Sequence, residues 1–89
     1  MNIDKALKSR IHLKIIRFFH ENQSSIDTPR GIATWIREDR AKVKKALEEL
    51  SVLDILIDHP VTSTTGYSYT HNKAIVSRIT KFLKKTKSV

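Results

Sequence analysis

Apolar residues recur along this chain first at helical spacing, then at every second position, then at helical spacing again. From about Asp4 to Glu21 the spacing predicts one helix. Leu7, Ile11, Ile15, Phe18 and Phe19 form its stripe, and Arg10, Lys14 and Arg17 make a basic ridge beside it. Leu13 and Ile16 fall outside that stripe, so either a second subunit or another helix of the same chain must cover them. The polar run Asn22 to Asp27 reads as a connector in which Ile26 forms part of a very short strand. Thr28 and Pro29 then open a second helix. Thr serves as N-cap and Pro stands where its missing N–H costs nothing. Ile32, Ala33 and Ile36 supply its buried side, and it ends near Ile36 or Arg37.

A third helix covers residues 39–53. Asp39 is a good N-cap at the positive end of the helix dipole, and Val43, Leu47 and Leu50 recur on one stripe with Ala46 beside them. Arg40, Lys42, Lys44 and Lys45 crowd the first two turns, off that stripe. After Leu53 the period becomes two: Ile55, Ile57, His59 and Val61 point one way, Leu56 and Asp58 the other, and Tyr67 and Tyr69 repeat the alternation. The run Thr62 to Gly66 reads as a hairpin loop with Gly66 free to adopt positive φ. Pro60, which lacks a ladder donor, belongs at an edge or bulge. Asn72 caps a last helix, roughly Lys73 to Lys85, with Ile75, Val76, Ile79, Phe82 and Leu83 inward. The whole is mainly α with a small β-hairpin, a single domain over 1–89 with frayed ends at 1–3 and 86–89.

Composition narrows the function. At 39% hydrophobic and 29% charged the chain has the balance of a folded protein, so wholesale disorder is excluded. It has no Cys, which removes disulfide frameworks and thiolate zinc fingers and suits a reducing cytoplasm. No apolar run approaches the length of a membrane span. The net charge of +8 directs attention to an anionic partner. That charge is uneven: residues 1–20 sum to +4, 39–50 to +1 and 73–89 to +6, with acidic balances between.

The order helix, helix, turn, helix, hairpin, helix resembles the winged helix-turn-helix domains of bacterial and archaeal transcription regulators, such as the MarR and ArsR families. The resemblance runs from about Arg10 to Lys85 and is most specific in GIATWIREDRAKVKKALEELSVLDILI, residues 31–57, preceded by RIHLKIIRFF at 10–19. There are three departures. Arg37 and Glu38 stand in the turn where those families often place Gly and an apolar residue, and Asp54 stands where a Gly commonly ends the recognition helix. The wing from Val61 to Thr70 carries neither Arg nor Lys, so its expected contribution is small.

The resemblance implies double-stranded DNA as partner, with the third helix in the major groove. Arg40, Lys44 and Lys45 can reach guanine edges or phosphates, flanked by Lys42, while Ala41 is small enough to approach bases or meet a thymine methyl. Thr28 and Arg30, at the start of the second helix, can hold a phosphate. The plain alternative is a solvated face, in which Lys44–Glu48 and Lys45–Glu49 pair four residues apart. Trp35 reads as a half-buried brace between helices, and Tyr67 and Tyr69 as packing of the wing strand. The four His residues match no metal spacing, and no nucleophile, phosphate loop or zinc motif is present. The expectation is therefore a non-enzymatic DNA-binding regulator with no cofactor, no bound metal and no membrane partner, paired as a homodimer through its first and last helices. The alternative from another class is a winged-helix module that binds protein.

Overall fold

Ser9 breaks the first expected helix in two. In the computed structural model, which describes residues 1–87, α1 spans Ile3–Lys8 and α2 spans Arg10–Glu21, with Ser9 extended between them at φ −88°, ψ 128°. At the break the Ser9 hydroxyl turns to a side chain and caps no backbone N–H of α2. Ser9 Oγ lies 2.6 Å from His12 Nδ1, while the Ser9 N–H donates to the Ala6 carbonyl. α1 is thereby folded so that Ala6 and Leu7 are buried. Near the start of the chain the Asn2 side chain accepts from the Lys5 N–H at 2.9 Å and Ile3 packs on the core. The chain itself covers the wide apolar arc of α2, where Ile15, Ile16 and Phe19 are fully buried.

The remaining elements are β1 (Ile26–Asp27), α3 (Pro29–Ile36), α4 (Arg40–Val52), β2 (Leu56–Pro60), β3 (Thr65–Tyr69) and α5 (Lys73–Lys87). Local capping fixes three of the starts. Thr28 Oγ1 accepts from the Gly31 N–H at 3.3 Å, Asp39 Oδ2 from Lys42 at 3.0 Å, and Asn72 Oδ1 from Ala74 at 2.9 Å. α5 is helical through residues 86 and 87, where fraying was expected; the rest of that expectation, residues 88 and 89, lies outside the described residues. Ile32 from α3, Val43, Leu47 and Leu50 from α4, and Ile79 from α5 meet Phe19 in one core.

The hairpin belongs to a three-stranded antiparallel sheet of order β1-β3-β2. Leu56 pairs with Tyr69 and Asp58 with Tyr67, so these four share a face, and Leu56 and Tyr69 are both buried. Pro60 ends the edge strand β2, where a missing donor is harmless. Gly66 is not a turn residue. The hairpin closes before it, through the Val61 N–H donating to the Thr64 carbonyl at 2.9 Å, and neither glycine has positive φ. Gly66 sits in β3, where an added Cβ would stand 3.0 Å from Ile26 Cγ2 of β1. It permits the close approach of a third strand. Ile26 itself remains exposed and does not enter the core.

Two residues with side chains occupy the left-handed region: Arg37, at φ 57° and ψ 51°, and Asp54, at φ 62°. Arg37 ends α3, with its N–H returning to the Ala33 carbonyl, and Asp54 follows α4. Asp tolerates this conformation better than Arg. Replacing Arg37 by Gly is expected to stabilise the domain by about 1 kcal/mol, or a rise in Tm of roughly 4–8 °C, and Asp54→Gly by less. Thermal melts of the two variants check this. A loss in Arg37→Gly would mean that the arginine side chain contributes more than its backbone costs.

Two helices joined by the short turn Arg37–Asp39, followed by a sheet whose hairpin lies beside the second of them, make a winged helix-turn-helix.

Candidate nucleic-acid interface

α4 hides one side and offers another. Val43, Ala46, Leu47 and Leu50 are buried, whereas Arg40, Lys44 and Glu48 form an exposed row at four-residue spacing. That row is one wall of a groove of about 700 Å³. Thr28, Pro29 and Arg30 at the start of α3 form the second wall, and Ser63, Thr64 and Thr65 at the hairpin tip the third, with Asp58 and Tyr67 completing the lining. The groove is polarised. Arg30, Arg40 and Lys44 are cationic, while Glu48 stands two turns, roughly 12 Å, beyond Arg40 on the helix. Burial first, then Glu48 and Asp58, pushes the Tyr67 hydroxyl above its ordinary pKa.

The cations of this surface are uncommitted. Among the described residues, none of Arg30, Arg40, Lys42, Lys44 and Lys45 makes an ion pair. The intrahelical pairs Lys44–Glu48 and Lys45–Glu49 do not form. Glu49 instead meets His12 Nε2 at 3.0 Å. The basic ridge of α2 has the opposite fate. Arg10 grips Glu38 with both terminal nitrogens, and Lys14 Nζ lies 2.6 Å from the same carboxylate. Lys14 also reaches the Ile36 carbonyl at 3.4 Å. Arg10 and Lys14 therefore fasten α2 to the turn between α3 and α4 rather than standing free for a ligand.

The hydrogen bonds from Arg10 and Lys14 lower the Glu38 carboxyl from 4.5 to about 2. With the folded value below the unfolded one, the ionised clamp contributes in full above about pH 4.5 and is lost as pH falls toward 2. The stability gap between the parent and Glu38→Gln is therefore expected to narrow progressively below pH 4.5 in urea titrations. A gap that is constant with pH would refute the clamp.

Of the residues expected from sequence, Thr28, Arg30, Arg40 and Lys44 come together in the groove. Ala41, Lys42 and Lys45 are exposed on α4 outside it. Sequence reasoning missed Pro29, Glu48, Asp58, Ser63, Thr64, Thr65 and Tyr67 as groove residues. Only the hydroxyl run Thr62-Ser63-Thr64-Thr65 hinted at a polar wall, because its placement beside α4 is a tertiary fact. Trp35 corrects another expectation. It is 72% exposed rather than half-buried, because it falls outside the arc of Ile32, Ala33 and Ile36, and only its ring meets Phe18, at 6.3 Å between centroids.

Three histidines serve the fold: His12 between Ser9 and Glu49, His20 with its Nδ1 3.3 Å from the Tyr69 hydroxyl, and His59 with its Nε2 2.7 Å from Ser68 Oγ. Burial pushes that Tyr69 hydroxyl up to about 12. Among the described residues, no group of three or more His, Cys, Asp or Glu gathers in metal-binding range, and no helix is long and apolar enough to cross a membrane.

No family model and no curated protein matches the sequence. Solved structures do match its fold. A possible transcriptional regulator from Methanosarcina mazei Go1 superposes with a TM-score of 0.73 at 16% identity, over 93% of this chain and 74% of that one. Reduced HlyU from Vibrio cholerae N16961 superposes with a TM-score of 0.71 at 12% identity, over 96% of this chain and 84% of the other. At such identities the likeness is one of fold, and it agrees with the winged-helix topology read from the coordinates.

Proposed function

We propose that this chain binds double-stranded DNA as a small, non-enzymatic transcriptional regulator of the cytoplasm, with α4 in the major groove. The observation that carries the reading is the cluster of Arg30, Arg40 and Lys44, without ion-pair partners among the described residues, around one groove between α4 and the hairpin. The fold shared with the Methanosarcina protein, a possible transcriptional regulator, points the same way. Arg40, Lys44 and Lys45 contact bases or phosphates from α4, Lys42 supports them, and Ala41 leaves room for a thymine methyl. Thr28 and Arg30 hold a phosphate at the start of α3. The wing, without cations, contributes hydroxyls and amides to the backbone. Glu48 and Asp58 repel phosphate and confine the strand to the cationic end. Pairing of two chains through α1, α2 and α5, where Ile3, Leu13, Ile75 and Phe82 are only partly buried, would present two copies of α4 to successive major grooves.

A duplex titration across a salt series tests this. If Arg30, Arg40 and Lys44 each neutralise one phosphate, log affinity falls against log salt with a slope of about −2.7 or steeper. Absence of binding in dilute buffer would end the proposal. One observation favours a protein-binding module instead: the exposed Trp35 ring beside Phe18. Under that reading, Trp35→Ala abolishes partner binding and no duplex binds.

A further inference from the structure

We propose that the outer face of α5 is a second phosphate-backbone surface, separate from α4. The charge distribution sets the problem. Residues 73–89 carry six basic and no acidic side chains, whereas 39–50 net only +1. The largest share of the net positive charge in the sequence therefore lies away from the helix expected to read bases. Arg78 is held by Asp4 of α1 at 2.5 Å, and Lys85 is engaged as well. Three others converge. Lys73, Lys81 and Lys84 line one groove of about 590 Å³ together with Thr70, His71 and Ser77. All three lysines are exposed, and among the described residues none has an ion-pair partner.

The chemistry of this groove fits a nucleic-acid backbone better than lipid or protein. Lys73 and Lys84 are separated by about 16 Å of helix, and one strand places a phosphate every 3.4 Å or so along its axis. The row can thus meet several phosphates at once. It stands opposite the inward stripe of Ile75, Ile79 and Phe82; among the described residues no large hydrophobic on α5 is exposed, and Val76 in the groove is partly buried, so little there would insert into a bilayer. Lysines offer point charges without the planar fork that reads a base edge, so the contact is indifferent to sequence.

The two grooves share no lining residue. β3 separates them: Thr65, at its start, lines the α4 groove, and Thr70, just past its end, lines the α5 groove. A duplex that reaches both surfaces releases counterions at each, whereas one held at α4 alone leaves α5 for a second duplex. One chain with both surfaces intact then joins two duplex segments. The α5 surface stands without the reading of α4; the joining rests on both.

The test compares the parent, K73Q/K81Q/K84Q and R40A/K44A, each shown to be folded by circular dichroism. Duplex affinity is measured from about 50 to about 200 mM salt, and a bead-bound duplex is offered a second, labelled duplex. In the triple variant the salt slope is expected to fall by up to about 2.7, so that the parent loses about 40-fold more affinity across that range. Capture of the second duplex is lost with it. R40A/K44A is expected to keep weak, salt-sensitive binding through α5 and to lose capture. An unchanged slope with capture intact in the triple variant overturns the proposal. So does an unchanged slope when only sedimentation with anionic vesicles is lost, which would assign the face to lipid. A normal slope in R40A/K44A with a reduced one in the triple variant would sink the α4 reading alone.

Discussion

A chain carrying Arg40→Ala and Lys44→Ala is expected to bind duplex DNA about 10- to 100-fold more weakly than the parent at equal salt, and to melt at the same temperature. Both side chains line the groove between α4 and the hairpin, and both are exposed without an ion-pair partner among the described residues. Removing them takes away attraction for the polyanion and leaves no buried charge stranded, so binding and stability separate. Adding Lys45→Ala deepens the loss. Fluorescence anisotropy with a labelled duplex gives the affinity, and a thermal melt controls for folding. Parental affinity in the double variant would remove α4 from the interface.

The second large effect is on stability. Leu47, on the opposite side of the same helix, is fully buried among the residues of the core. Leu47→Ala deletes apolar contacts and leaves a cavity, at a cost of about 2–5 kcal/mol. Small domains hold only about 5–15 kcal/mol in total, so Tm is expected to fall by more than about 10 °C. Urea unfolding with linear extrapolation measures the difference. A cost below about 1 kcal/mol would mean that the neighbours collapse into the space.

What could be read in advance depends on how far each cause lies along the chain. Thr28, Asp39 and Asn72 cap helices within three residues of themselves, and all three starts were legible for that reason. The stripe of α4 was equally plain. The break at Ser9 was not, because it involves His12, which is held by a glutamate 37 residues away. Gly66 looked like a turn glycine until β1 was seen crossing it. Helical spacing shows the ridge of Arg10 and Lys14 but not that Glu38, more than 20 residues away, holds both. Within the candidate site, the α3 and α4 walls follow from local spacing. The hairpin wall and the acidic end required the fold, as did the knowledge that Lys44 and Lys45 decline the glutamates one turn away.

The contact between His12 and Glu49 has a further consequence when taken with the bond of 3.2 Å from Ser51 Oγ to Asp58 Oδ1. The first pins the back of α4 to α2, and the second pins its far end to β2. A helix bolted at two places cannot slide or roll on its own. On the proposed reading α4 needs no rearrangement to meet a duplex, and the association rate is expected to follow encounter, falling with salt in stopped-flow mixing.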